Sequence, residues 1–133
     1  MKILISMLSA LGLMAGAVSV SAATKSVTYS ATITHDGKIE AQSPNWINST
    51  EYTSQKDYGA SYKIKFMPGA FNKAPKYCHV STFDSSSYEH VLHGIAKLSS
   101  KPTREEVNVI GVMLGLDRPS GDSSMSFYLV CGK

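Results

Sequence analysis

Two stretches, each running to one of the chain's two cysteines, limit what this sequence can fold into. Residues 60–78, ASYKIKFMPGAFNKAPKYC, alternate Tyr62, Ile64 and Phe66 against Ser61, Lys63 and Lys65, turn at Pro68-Gly69, and run on to Cys78. Residues 125–131, MSFYLVC, place Met125, Phe127, Leu129 and Cys131 on one side of a period-2 pattern. Strict alternation puts every second side chain on one face of an extended strand, so both stretches read as half-buried strands. The expected fold is all-β: a single antiparallel β-sandwich, jelly-roll or Greek-key, of about seven or eight strands, stapled by one disulfide.

The pairing of Cys78 with Cys131 follows from the leader. Met1-Lys2 gives a positive start, residues 3–20 are apolar and small, and Val20-Ser21-Ala22-Ala23 suits a signal-peptidase cut. Residues 1–23 are therefore expected to be a secretory signal and residues 24–133 the secreted domain. A membrane span is the weaker reading, because the run is rich in Gly, Ala and Ser and has no basic stop after it. An oxidising compartment favours the disulfide, and closing so long a loop stabilises the fold by about 4 kcal/mol in the chain-entropy picture. The expected location is secreted or periplasmic.

Without Lys2, 12 basic side chains stand against 10 acidic ones, a net charge near +2. That balance lacks the concentrated basic face a nucleic-acid partner requires.

Along the domain, Val27, Tyr29, Ala31 and Ile33 alternate with hydroxyl residues and predict a first strand. His35-Asp36-Gly37-Lys38 is its turn, Asp-Gly tolerating the positive φ that a two-residue hairpin needs, and residues 39–42 are the returning strand. Residues 43–59, SPNWINSTEYTSQKDYG, read as a polar, irregular loop carrying Trp46, Tyr52 and Tyr58. Two readings of these aromatics stand side by side. Trp46 plugs the core or an edge, or the three rings form an exposed platform on which a sugar stacks, with Asn45 and Asn48 bonding its hydroxyls. Residues 76–83 form a strand with Cys78 and Val80 on one face and Tyr77, His79 and Ser81 on the other. Residues 88–98 fit either a strand broken at Gly94 or a helix, and strand is the reading adopted. Residues 107–114, VNVIGVML, predict a central strand covered on both faces.

Chemistry-bearing patterns are sparse. His90 and His93 share a metal only if they lie on a helix, and no acid-rich or cysteine-rich ligand pattern accompanies them beyond Glu89. Ser85, Ser86 and Ser87 sit in an expected turn without a nucleophile-elbow sequence, and Glu105-Glu106 point to opposite sides of a strand. Asp36, Asp117 and Asp122 read as turn residues rather than calcium ligands. No catalytic residue, metal site or cofactor is expected.

The order Gly59, Tyr62, Ile64, Phe66, Gly69, Phe71, Pro75, Cys78, then Asp122, Ser126, Phe127, Cys131 and Gly132, resembles tip modules of bacterial and phage fibre proteins. It is also similar to the compact C1q/TNF-like jelly rolls. The resemblance implies an adhesive role but transfers no site residue, since those modules place ligand contacts in variable loops. The expected function is an exported binding module that recognises a surface glycan or an extracellular or periplasmic protein through Asn45, Trp46, Asn48, Tyr52 and Tyr58. The alternative is an exported inhibitor or immunity protein that blocks an enzyme or toxin by inserting a loop.

Overall fold

A computed structural model describes residues 21–22, 26–56, 58–83, 88–115 and 121–133. Residues 1–20 and 23 of the expected signal segment, the serine turn at residues 85–87 and Asp117 lie outside the described residues. Eight strands and one short helix follow in the order β1 Thr28–Ile33, β2 Ile39–Ser43, β3 Ile47–Gln55, β4 Gly59–Phe66, β5 Tyr77–Thr82, α1 Tyr88–His93, β6 Gly94–Leu98, β7 Glu106–Met113 and β8 Phe127–Gly132.

They form two four-stranded antiparallel sheets. One, hereafter the first sheet, has the order β2-β1-β8-β5, and the second has β3-β4-β7-β6. β5 and β8 are neighbours although β6 and β7 lie between them in sequence in the opposite sheet, and β4 and β7 are neighbours although the chain between them crosses to the first sheet at β5. These are Greek-key crossings between the layers of a sandwich.

The alternation read from the sequence is what closes the layers. Tyr29, Ala31 and Ile33 of β1 and Phe127, Leu129 and Cys131 of β8 face Ala60, Tyr62, Ile64 and Phe66 of β4 and Val107 and Val109 of β7, all buried. Each large apolar side chain removed from water here contributes roughly 2 kcal/mol. Tyr62 is both core and strut: its hydroxyl donates to the His35 carbonyl oxygen at 2.8 Å and accepts from the Met125 N–H at 3.0 Å. Cys78 and Cys131 stand directly opposite each other on β5 and β8 and are disulfide-bonded across 53 residues of sequence.

Four local expectations change. The 43–59 loop is a strand for most of its length: β3 pairs with β4 from Ile47↔Phe66 to Gln55↔Gly59. Its alternation is hidden by a bulge between Ile47 and Ser49 that puts Ile47, Thr50 and Tyr52 on one face despite uneven spacing. Residues 88–98 divide, with helix to His93 and strand from Gly94. A side chain at Gly94 would collide with the His90 carbonyl oxygen, so glycine permits the abrupt change of direction. β7 is central but covered on one side only, because a two-layer sandwich leaves Asn108, Ile110 and Val112 outward and half-buried. The first hairpin closes through three residues rather than two: the Gly37 N–H donates to the Thr34 carbonyl at 2.8 Å, with Gly37 at φ 80°. A turn followed by a left-handed glycine is the usual three-residue solution.

Candidate functional site

Trp46 is 0% exposed and lies in the core. Its indole N–H donates to the Ser30 carbonyl oxygen at 2.9 Å, and its ring packs on Tyr29, Phe66 and Phe71 with centroids 5.6, 5.3 and 5.9 Å away. The Gln42 side chain fixes this corner by accepting from the Trp46 and Ile47 N–H groups at 2.8 and 2.7 Å. A side chain with no exposed surface offers nothing to a ligand, so of the two readings of Trp46 the plug is the one found.

The other four expected contact residues do not share a surface. Tyr52, 36% exposed, points toward the core side of β3, packs tilted against Tyr62 with ring centroids 5.3 Å apart and hydrogen-bonds Ser124 through its hydroxyl. Tyr58 is 80% exposed at the tip of the β3–β4 hairpin. Asn45 and Asn48 are exposed at the other end of β3, roughly 25 Å from that tip at the rise of a β-strand.

A different group does share a surface. Period-2 strands with one face in the core must turn the intervening residues outward. On the first sheet those are Thr28, Ser30 and Thr32 of β1, Ala41 and Ser43 of β2, Tyr128, Val130 and Gly132 of β8, and Tyr77, His79 and Ser81 of β5. Phe83 continues the β5 row. None of these residues is Asp, Glu, Lys or Arg; Glu40 sits at the β2 edge where the register shifts.

The aromatics of this face are open to solvent, Tyr77 by 45% and Tyr128 by 49%. They come in contacting pairs: Phe83 stacks on Tyr128 with centroids 4.4 Å apart, and Tyr77 lies 5.4 Å from His79. Tyr77 also lies flat over Gly132, where any side chain would collide with its ring. Beside Tyr128 a shallow hollow of about 330 Å³ is floored by Ala41 and Val130 and edged by the hydroxyls of Ser30, Thr32 and Ser43. An aromatic wall beside small residues and hydroxyls can cover an apolar ring face and bond its polar rim.

No known protein family, curated protein or solved structure matches the chain. Assignment therefore rests on the chemistry of these surfaces.

A second polar cluster lies at the end of the sandwich that carries the β3–β4 tip. Ser54 donates to the Asp122 carboxylate at 3.4 Å, the Ser124 N–H donates to it at 2.9 Å, and His90 Nε2 meets the Asp122 main-chain oxygen at 3.0 Å. Burial raises the Asp122 pKa, but hydrogen bonds from Ser124 and Ser54 and the nearby His90 outweigh it and hold the carboxyl below its ordinary value. This is the pattern of an Asx turn anchoring residues 121–126 to β3. Ser123 and Ser124 are buried with it. Among the described residues no group of three or more His, Cys, Asp or Glu is placed to hold a metal ion. No helix among them is long and apolar enough to cross a membrane.

The outward aromatics were partly visible in the sequence. Tyr77 and His79 stand opposite Cys78, and Tyr128 stands opposite Phe127 and Leu129. The signal was an aromatic at the out-facing phase of a strand whose in-facing phase is already apolar.

Proposed function

We propose that this chain is a small, exported, non-catalytic binding module that recognises a neutral glycan through the outward face of the first sheet. One observation carries the reading: a sheet face whose paired outward residues include no Asp, Glu, Lys or Arg, bearing solvent-exposed aromatics beside a hydroxyl-edged hollow. Sugars present apolar ring faces and hydroxyl rims without charge, so such a face fits them, whereas ionic ligands call for charged groups. The Cys78–Cys131 disulfide joins the two strands that carry Tyr77, His79, Tyr128 and Val130, so the contact surface lies on the most constrained part of the scaffold. The bond also suits an exported protein.

A glycan array probed with the oxidised protein and with Tyr128→Ala and Tyr58→Ala variants tests the reading. Binding lost in Tyr128→Ala and retained in Tyr58→Ala is the expected pattern.

A specific feature favours a second reading, insertion of the β3–β4 tip into an enzyme or toxin. Tyr58 projects there beside a hollow of about 240 Å³ whose apolar wall is Ile110 and Val112, and Ile95, opposite Val112, extends that wall. Absence of glycan binding together with capture of a protein that Tyr58→Ala abolishes would select this reading.

A further inference from the structure

Lys73, Lys76 and Lys133 line one hollow of about 270 Å³, together with Asn72 and Ala74. They arrive from two places in the sequence. Lys73 and Lys76 flank the buried Pro75 in the connection to β5, and Lys133 follows β8. The fold holds these segments together, since the Lys76 N–H donates to the Gly132 carbonyl oxygen at 2.9 Å. Proline fixes its own backbone angle, so the turn between Lys73 and Lys76 is stiff. The Lys133 ammonium sits over the Tyr29 ring at 5.1 Å and the Phe71 ring at 6.0 Å, a cation–π anchor that limits its freedom.

Three like charges lining one hollow repel one another and together attract an anion. Lys38 is paired with Asp36, Lys65 with Glu51 and Arg104 with Glu105. Among the described residues none of the three lysines of the hollow is in an ion pair. Ammonium groups on flexible stems, with an amide beside them, bind phosphate as converging point charges.

We infer that Lys73, Lys76 and Lys133 form an anion-binding site for a phosphate-bearing group, separate from the uncharged face of the first sheet. The group's source is either a phosphorylated saccharide or the headgroup of an anionic lipid. Tyr77 and Gly132, at one end of the aromatic row, directly adjoin Lys76 and Lys133 in sequence, so a phosphorylated saccharide lying along the sheet would reach the hollow.

The test is a titration of the isotopically labelled, oxidised chain with inorganic phosphate at low ionic strength, followed by amide resonances. Saturable shifts at Asn72, Lys73, Lys76 and Lys133 are expected. A Lys73→Gln/Lys76→Gln/Lys133→Gln variant, its fold checked by retained dispersion of its amide spectrum, should bind about tenfold more weakly or not at all. Lys63→Gln, on the opposite sheet, should bind as the parent does. Glucose 6-phosphate binding more tightly than inorganic phosphate identifies a saccharide source. Capture by phosphatidylglycerol vesicles but not phosphatidylcholine vesicles, lost in the triple variant, identifies a lipid source. Absence of saturable shifts at those residues, or an equal response in the triple variant, overturns the site. Neutral-glycan binding is read separately: its absence alongside a retained phosphate response removes the sheet-face reading and leaves this one standing.

Discussion

The two outward faces of the sandwich are built on the same inward alternation yet differ in chemistry. The second sheet turns out Ser49, Glu51 and Thr53 of β3, Ser61, Lys63 and Lys65 of β4, Lys97 of β6 and Glu106 and Asn108 of β7, with Lys65 paired to Glu51. Its aliphatic members, Ile95, Ile110 and Val112, gather at the end beneath the Tyr58 tip. The first sheet turns out tyrosines, a histidine, a phenylalanine and hydroxyl residues, and none of them is Asp, Glu, Lys or Arg. Packing constrains the inward positions of both sheets equally and the outward positions of neither. A charged, mixed face is the ordinary way to keep a sheet solvated. A neutral aromatic one exposes surface that water solvates poorly and that a ring-bearing ligand covers well, and this contrast is the ground for the proposed glycan site on the first sheet.

The largest expected effect separates aromatics that hold the sheets together from those that face out. Trp46→Ala should destabilise the fold by about 4 kcal/mol in a denaturant titration while leaving the ligand affinity of the folded fraction unchanged. Unchanged stability with lost binding would return Trp46 to the contact surface. Next, replacing both Cys78 and Cys131 by Ala should cost about 4 kcal/mol, because the bond constrains the unfolded chain; chemical denaturation of the variant beside the oxidised parent measures it. The inward Tyr62 gives the third effect. Burial pushes its hydroxyl up to about 12 from 10.0, partly opposed by its hydrogen bond with Met125. The folded state then keeps a proton that the unfolded chain loses first. Its contribution is complete below pH 10 and is lost as the pH rises toward 12, amounting to about 2 kcal/mol in stability measured across that window and absent in Tyr62→Phe.

The two smallest effects address the faces directly. Tyr128→Ala should weaken glycan binding by about tenfold in calorimetry while shifting stability by less than about 0.5 kcal/mol. Lys65→Gln, breaking the exposed pair with Glu51, should change stability by less than about 0.5 kcal/mol and leave binding untouched. A binding loss in Lys65→Gln equal to that in Tyr128→Ala would erase the distinction between the faces.

What was legible in the sequence is what alternation alone determines. The phase of Tyr62, Ile64 and Phe66 and of Phe127, Leu129 and Cys131 specified the inward faces, and the two cysteines fell opposite each other on adjacent strands. β3 was hidden because the bulge after Ile47 breaks its period and polar residues fill both phases. Trp46 looked like a loop aromatic because its neighbours are polar, yet one of them, Gln42, spends its side-chain oxygen on fixing the corner that drives the indole inward. The aromatic row is only partly legible for a topological reason: β1, β8 and β5 are distant in sequence, and only the sheet order places Tyr128 between Thr32 and Ser81.

The most direct measurement is a map of amide chemical-shift changes across both sheets on adding a glycan that binds. The account predicts changes concentrated at residues 28–32, 41–43, 77–83 and 128–132, with residues 49–55, 61–65 and 106–112 unmoved. Changes centred on the second sheet or on the Tyr58 tip would contradict it and place the contact surface on the opposite side of the sandwich.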